Sequence, residues 1–412
     1  MLARSRFLTS SAKTAHGLIL HGRRYRVVAV IDESCAGSDA GELMGIGRRG
    51  IPVVRNLASV PGIPPVKPTL PAGGAGAGRP PRPGRAQWAL IIGVAPTGGR
   101  LPGAWRRDIR EAIRRGMDIV SGLHDFLGED RELAALARAR GVSIWDVRRP
   151  PSKLDVARGY RSPVPVVLVC GTDCAVGKRT VTIELQRGAR YRGIEAAFIA
   201  TGQTGVMVGC DAGVVIDRVP GDFMSGAVEG MVRRMVERGK ELIFVQGQAS
   251  LTHLAYGPVT LGILYGARPH YIVLVHEPGR EFRPSFPEQR VLEPMEEARL
   301  VRELSGAEPV GISLNCQRLQ RPGAPARPPH LPPGGRSERL PATSTTDAAA
   351  AQPHRMICRR YEEATGLPTV DVLRDGPDRI LDSLLLKLGE RRDLEIGPGL
   401  RRAIEALKGG GP

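Results

Sequence analysis

Short apolar runs alternate with amphipathic stretches through the first third of the chain. Strands that alternate with helices are typical of a parallel sheet covered by helices. The pattern therefore predicts a Rossmann-like α/β domain over residues 1–152. The apolar runs predicted to be strands are Tyr25–Asp32, Trp88–Pro96, Asp118–His124 and Val142–Val147. The helical patterns between them are Trp105–Arg115 and Glu129–Arg140.

A second series of the same kind follows the Pro150-Pro151 pair, where proline removes backbone donors and ends regular structure. It predicts a second doubly wound α/β domain over residues 160–412, so the fold class is α/β in both halves. Its predicted strands are Val166–Cys170, Glu195–Ala200, Glu241–Val245, Tyr271–Val275, Val310–Leu314 and Thr369–Leu373.

Two tracts interrupt these patterns. Residues 61–85 are rich in Pro and Gly, and residues 317–353 are rich in Pro, Ala, Arg and Ser without any hydrophobic period. Unstructured loops of that length are unusual inside a compact domain, so both are expected to be disordered or loosely attached. The second tract is either an insertion or the product of a shifted reading frame.

Composition narrows the function classes. The chain has 412 residues, 42% hydrophobic, with six scattered cysteines and a formal net charge of +17. No run approaches the roughly 18 apolar residues of a membrane span, and no secretory leader is evident, so a cytoplasmic location is expected. The positive charge is generic arginine richness, and only 4% of residues are aromatic, so base stacking is disfavoured. We expect a small-molecule substrate, and neither a nucleic acid nor a membrane as a partner. Whether the protein forms a homo-oligomer is left open.

A glycine-bounded turn after the strand at Val166–Cys170 is the strongest chemical motif. It precedes a helical pattern, and strand, turn, lysine and helix together predict a phosphate-binding P-loop. Arg179 stands where the motif has a hydroxyl, and Thr180 follows one position later. The residues predicted to hold the cofactor phosphates are Gly171, Thr172, Asp173, Cys174, Ala175, Val176, Gly177, Lys178, Arg179 and Thr180.

Other polar residues follow predicted strands, where open α/β folds bind ligands. Each has an alternative role as a cap or loop anchor, and for His253 the structural role is favoured. Asp32 stands where a dinucleotide fold places its ribose-binding acid, but no G-x-G-x-x-G precedes it, so a loop-capping role is favoured over NAD binding. The candidates in the second half are Gln203, Thr204, Arg218, Asp222, Glu229, His276, Glu277 and Arg280.

Several runs together resemble the D-glutamate N-acetyltransferase-like family, long uncharacterised and often labelled NAD-dependent epimerase/dehydratase. In the first half they are KTAHGLILHGRRYRVVAVID, IIGVAPTGGRLPGAWR, VSGLHDFLGED and IWDVRRPP. In the second they are GTDCAVGKRT, ATGQTGVMVG, DFMSGAVEG, GQASLTHLAYGPVTLGILYG and VHEPGR. The resemblance implies a Rossmann-like domain joined to a P-loop NTPase-like domain related to dethiobiotin synthetase. It also implies acetyl transfer from acetyl-CoA to the amino group of D-glutamate or a related amino acid.

On this basis the P-loop is expected to anchor the phosphates of acetyl-CoA, with no prosthetic group and no metal. The candidates for removing the acceptor's proton are Asp222, Glu229, His276 and Glu277, with Asp222 first. Arg218 and Arg280 are expected to bind substrate carboxylates, and the Gly202–Gly205 turn, with Gln203 and Thr204, to contact the substrate and donate to the oxyanion.

One position departs from the family. In the family, the third strand of the second half is expected to end in Glu-Gly-Gln. In this sequence the position of that glutamate is occupied by Gln246. An amide lacks the charge that tightly bound Mg²⁺ requires, which weakens the alternative of an ATP-dependent ligase or kinase using ATP with Mg²⁺.

Overall fold

A computed structural model describes residues 1–66, 88–94, 101–284, 286–317 and 353–409. Most of the two biased tracts predicted from the sequence, residues 61–85 and 317–353, lies outside these ranges. None of the helices in the described part of the chain combines the length and the apolar character that a membrane crossing demands.

Strands and helices are numbered along the chain. The strands are β1 (Val30–Ile31), β2 (Val53–Val54), β3 (Ala89–Ile91), β4 (Asp118–Ser121), β5 (Ile144–Asp146), β6 (Val166–Gly171), β7 (Ala196–Ala200), β8 (Ala212–Gly213), β9 (Leu242–Gln246), β10 (Tyr271–His276), β11 (Phe282–Arg283), β12 (Phe286–Arg290), β13 (Glu308–Leu314) and β14 (Thr369–Val370). The helices are α1 (Lys13–His21), α2 (Ala40–Leu43), α3 (Trp105–Arg114), α4 (Arg131–Arg140), α5 (Lys178–Tyr191), α6 (Gln203–Val208), α7 (Gly221–Glu237), α8 (Gly257–Ala267), α9 (Pro294–Ser305), α10 (Pro353–Thr365), α11 (Val372–Asp375), α12 (Asp378–Leu388) and α13 (Pro398–Lys408).

The chain forms two compact units. The first contains Met1–Leu154 with Ala200–Pro220, and the second contains Asp155–Ile199 with Gly221–Pro412. The sequence-based division at residues 152–160 is close to the boundary at Leu154. It assigned residues 200–220 to the second domain, whereas in the structure they pack with the first unit.

The first unit has a parallel sheet in the order of a dinucleotide-binding fold. Leu2 bridges Ile31 on one side and Ile92 on the other, both in parallel. Residues 1–3 therefore join the pair β1–β2 to the strands β3–β4–β5, giving the order β2, β1, residues 1–3, β3, β4, β5. Counted along the chain this is the order 3-2-1-4-5-6. The Rossmann-like prediction is confirmed, although the sequence pattern missed residues 1–3 and β2.

Asp32 ends the second strand of this order, and its carboxylate is buried. It accepts hydrogen bonds from the backbone N–H groups of Arg6 at 3.0 Å and Phe7 at 2.8 Å. It also accepts from Ser34 through its N–H and its hydroxyl. The carboxylate thus fixes the turn that follows residues 1–3, as the loop-capping interpretation expected.

The second unit holds a larger parallel sheet, whose strands run in the order β14, β13, β10, β6, β9, β7. Strand β6 lies at its centre, fully buried between β10 and β9. The carboxyl ends of these three strands therefore meet at one edge, and β6 delivers the P-loop there. The antiparallel hairpin β11–β12 follows β10. The α/β prediction is confirmed here as well, but the hairpin was missed.

Candidate functional site

The turn between β6 and α5 has the backbone of an anion-binding loop. Ala175 has φ +57° and Gly177 has φ +116°. Successive N–H groups in such alternating conformations point inward and form a concave anion site, to which the start of α5 adds its partial positive charge. At Gly171, a Cβ would lie 3.0 Å from the carbonyl oxygen of Val275, so the close approach of β10 favours glycine.

The glycine spacing departs from that of the common P-loop motif. Five residues separate Gly171 from Gly177, whereas G-x-x-x-x-G-K-[ST] has four. Thr172 therefore occupies the position of the motif's first glycine. Arg179 takes the hydroxyl position on α5, as the sequence indicated.

Lys178 begins α5 and is buried. Its ammonium donates a hydrogen bond to the backbone carbonyl of Asp173, inside the loop itself. Burial lowers the pKa of Lys178, while the neighbouring Cys174 and Asp173 raise it. The lysine therefore supplies a poorly solvated positive charge within the turn, where an anionic ligand would stabilise its charged form.

Asp173 is the centre of a buried network of charges beside the loop. One of its carboxylate oxygens lies 2.9 Å from Nη1 of Arg280, and the other lies 3.4 Å from Nε of Arg283. Arg280 also donates to the carbonyl of Cys174 at 2.7 Å and pairs with Glu277. Arg280 was predicted to bind a substrate carboxylate and Glu277 to act on a proton. In the structure both are engaged in holding the loop.

His276 ends β10 and also contacts the loop. Its Nδ1 lies 2.9 Å from the hydroxyl of Thr172. Burial, with the nearby Arg280, lowers the pKa of His276 to about 4. The imidazole is therefore neutral at physiological pH and positioned to orient Thr172.

The other two predicted proton acceptors have different environments. The carboxylate of Glu229 on α7 accepts from the N–H groups of Arg158 and Tyr160 at 2.9–3.0 Å. Burial alone would raise the pKa of Glu229. The backbone donors lower it by more than burial raises it, so the net shift of the pKa is downward. Glu229 thus anchors the segment at residues 158–160. Asp222 is exposed in the first turn of α7, with no side-chain hydrogen bond to another described residue.

The predicted substrate contacts Gln203, Thr204 and Arg218 belong to the first unit, whereas the P-loop belongs to the second. Thr204 shares a hydrogen bond of 2.9 Å with Thr14, and the Arg218 guanidinium lies 5.0 Å from the centre of the Phe126 ring. Gln203 begins α6 and is buried against Gly122.

Glu297 on α9 is a site residue that the sequence analysis missed. Its side chain is 1% exposed, and one carboxylate oxygen accepts from the N–H of Leu251 at 2.5 Å. The other oxygen is buried without a hydrogen-bond partner among the described residues. Burial raises the pKa of Glu297 to about 7, against the opposing effects of the Leu251 N–H, Arg283 and Lys178.

A sequence signal for Glu297 exists. The buried positions of α9 are Pro294, Glu297, Ala298 and Val301, which is the i, i+3, i+4, i+7 spacing of a core-facing stripe. An acid in such a stripe is rarely buried without a reason. The position of Glu297 within this stripe therefore predicts that its carboxylate is buried.

One group of residues has the donor atoms for a metal ion. Asp173, Cys174 and His253 each offer a ligand atom, and these atoms lie within 4.8 Å of one another. However, Arg280 and Arg283 already neutralise Asp173, and their charges would repel a cation. The Nδ1 of His253 accepts from the N–H groups of Ala255 and Tyr256 at 3.2–3.3 Å, which is the structural role expected for this histidine.

Comparison with known proteins gives concordant results for both halves. Residues 82–150 match the model of a domain of unknown function described as the DUF1611_N Rossmann-like domain, and residues 154–326 match the DUF1611_C P-loop domain. A crystal structure of a DUF1611 family protein from Anabaena variabilis is similar with a TM-score of 0.75 and 31% identity, over 93% of this chain and 98% of that one.

Two curated relatives are similar over 300 residues, which is 72% of this chain and 80% of each relative. Both are named D-glutamate N-acetyltransferase. The protein from Tritonibacter scottomollicae is 33% identical, and the one from a Pseudoalteromonas species is 32% identical. The chain therefore belongs to the DUF1611 family, the family of the D-glutamate N-acetyltransferases, as the sequence motifs indicated.

Proposed function

We propose that this protein is an N-acetyltransferase that transfers the acetyl group of acetyl-CoA to the amino group of D-glutamate or a related amino acid. The observation that carries the proposal is the identity of 32–33% to two relatives of that name, of which the chain covers 80%. The motifs GTDCAVGKRT and VHEPGR contribute the P-loop and the arginine that holds it.

The P-loop would anchor the coenzyme. Coenzyme A carries a pyrophosphate and a ribose phosphate, which suit inward-pointing amides and the ammonium of Lys178 without any hydrolysis. Gln246 ends β9 beside the loop's strand, opposite Val169 in the register. Because an amide there brings no negative charge, the site favours binding an anionic tail over holding Mg²⁺ for phosphoryl transfer.

The acceptor amine is an ammonium at neutral pH and must lose a proton before it attacks the thioester carbonyl. We propose Asp222, which is exposed in the first turn of α7, as the proton acceptor. Burial raises the pKa of Glu297 to about 7, but its side chain is 1% exposed and its second oxygen is enclosed, so a bound amine does not reach it. One ammonium proton passes to the carboxylate of Asp222, and the nitrogen forms its new bond to the carbonyl carbon. The C–S bond then breaks, and a second proton of the former ammonium goes to the sulfur, so that coenzyme A leaves as its thiol.

The decisive experiment incubates the purified protein with acetyl-CoA and a panel of D- and L-amino acids. Release of free thiol and the mass of the product are followed with and without nucleotide. The proposal predicts an N-acetylated acidic amino acid in the absence of nucleotide. Product that appears only with ATP and Mg²⁺ would instead favour a ligase or kinase of the dethiobiotin synthetase type, which the P-loop also suits.

A further inference from the structure

A cavity lined by described residues of the first unit lies apart from the P-loop's sequence segment. It has a volume of about 800 Å³ and is lined by residues that include Arg4, Ser5, Arg6, Glu33 and Arg107. That volume falls in the range of small-ligand sites, roughly 300–1,000 Å³. Nothing in the proposed acetyl transfer uses these residues.

The cavity lies where the strand order of the first unit reverses. Arg4 to Arg6 follow the central segment, residues 1–3, while Glu33 follows β1 on one side of it. Arg107 lies in the first turn of α3, which follows β3 on the other side. Open α/β sheets bind ligands at the carboxyl ends of strands at such a reversal point.

The charged side chains that line the cavity differ in whether they have partners among the described residues. The guanidinium of Arg4 is fully engaged, with Asp108 at 2.5–2.8 Å and Glu33 at 3.4 Å. The guanidiniums of Arg6 and Arg107 form no ion pair or hydrogen bond with any side chain in the described ranges. They are therefore two forked donors that line a concave site and have no side-chain partner among the residues that the structure describes.

The backbone of the same turn is strained. Arg4 has φ +42° and Ser5 has φ +56°, a left-handed conformation that is unfavourable for residues other than glycine. Asp32 holds the turn in place through the N–H groups of Arg6 and Phe7. Strain maintained by a buried carboxylate at a cavity is typical of a functional site.

We propose that this cavity is a binding site for a small dianion bearing two carboxylates or a phosphate group. Arg6 and Arg107 would pair with the anion through the forked N–H donors of their guanidiniums. A dinucleotide fits less well, because the turn has arginine and serine in place of glycines and the carboxylate of Asp32 already accepts four hydrogen bonds.

The test is calorimetric titration of the full chain with inorganic phosphate and, separately, with glutarate, a dicarboxylate that has no amino group to acetylate. The double variant Arg6→Gln/Arg107→Gln should lower the affinity for the bound anion at least tenfold. The double variant Arg401→Gln/Arg402→Gln, which removes the same charge from exposed positions on α13, should change it less than twofold.

A third variant separates this cavity from the P-loop. Lys178→Ala should leave the affinity for glutarate unchanged, and it should leave intact that part of phosphate binding which Arg6→Gln/Arg107→Gln removes, because the P-loop binds phosphate separately. The proposal is overturned if neither anion binds, if both double variants weaken binding equally, or if Lys178→Ala alone abolishes all anion binding. None of these results depends on whether the protein transfers acetyl groups.

Discussion

The two units share a parallel α/β architecture but differ in how they treat charge at the carboxyl edges of their sheets. In the second unit, Asp173 is buried with Arg280 and Arg283, so the charges near the P-loop compensate one another. In the first unit, Arg6 and Arg107 are exposed and line an open cavity. Buried, paired charges fix the shape of a loop, whereas exposed guanidiniums remain available to a ligand. The two edges therefore call for different tests.

The largest expected effect comes from breaking the buried network. Asp173→Asn keeps the shape of the side chain but leaves the buried guanidinium of Arg283 without its carboxylate and that of Arg280 with Glu277 alone. Removing one partner of a buried ion pair commonly destabilises a protein by about 3–5 kcal/mol. Chemical denaturation followed by circular dichroism measures the free energy of unfolding. Asp222→Asn, at an exposed position of the same unit, is the matched control and should change it by less than about 0.5 kcal/mol. Equal losses in the two variants would contradict the compensation described above.

Glu297 should make stability depend on pH. Its pKa of about 7 in the folded protein lies above the ordinary value of 4.5. Between these two values the folded state binds a proton that the unfolded state does not, so this contribution is fully present below pH 4.5 and is lost as pH rises to 7.

At about 1.36 kcal/mol for each pKa unit, the loss amounts to about 3 kcal/mol. Glu297→Gln should lack this contribution. As pH rises from 4.5 to 7, wild type should therefore lose unfolding free energy by that amount relative to Glu297→Gln. Denaturation curves at pH 4, 5, 6 and 7 measure it. A constant difference would mean that Glu297 is not held at a raised pKa.

Lys178→Ala should affect one substrate only. Loss of a charge-assisted contact of about 1.5–3 kcal/mol predicts a KM for acetyl-CoA raised about 10- to 100-fold. The KM for the amino acid should change less than about twofold. Steady-state kinetics with each substrate varied in turn measures both, with the exposed Lys408→Ala as the control. Equal changes in the two constants would argue against phosphate anchoring.

The smallest expected effect is that of Glu297→Gln on turnover. Because Glu297 is enclosed and does not reach the substrate, kcat should fall less than about threefold. Asp222→Asn should lower kcat by about 10²-fold or more, the usual contribution of a positioned base. A large fall in Glu297→Gln with an unchanged Asp222→Asn would make Glu297 the acceptor instead.

The sequence predicted those features that depend on local pattern. Strand β6, the turn at Gly171–Gly177 and helix α5 follow one another along the chain, so their apolar period and glycines predicted them together. The capping role of Asp32 was also foreseen, from the missing glycine motif. Residues 1–3 and β2 were missed because bridging segments of two or three residues have no period of their own.

The network of charges around the loop could not be predicted in the same way. Arg280 reaches Asp173 across 107 positions, and nothing local distinguishes an arginine that holds a loop from one that binds a substrate. Glu229 has the same ambiguity, which only its contacts with residues 158–160 resolve. Glu297, by contrast, had a readable signal, because an acid within the apolar stripe of α9 indicates a buried carboxylate.

The most direct test of the central claim, that the loop at Gly171–Lys178 holds the phosphates of acetyl-CoA, is calorimetric titration of wild type and Lys178→Ala. Acetyl-CoA and S-acetylpantetheine, which carries the same thioester without phosphates, are the two ligands. We expect acetyl-CoA to bind wild type at least tenfold more tightly than Lys178→Ala, while S-acetylpantetheine binds both equally and weakly. Acetyl-CoA binding that is identical in the two proteins, or no tighter than that of S-acetylpantetheine, would contradict the claim.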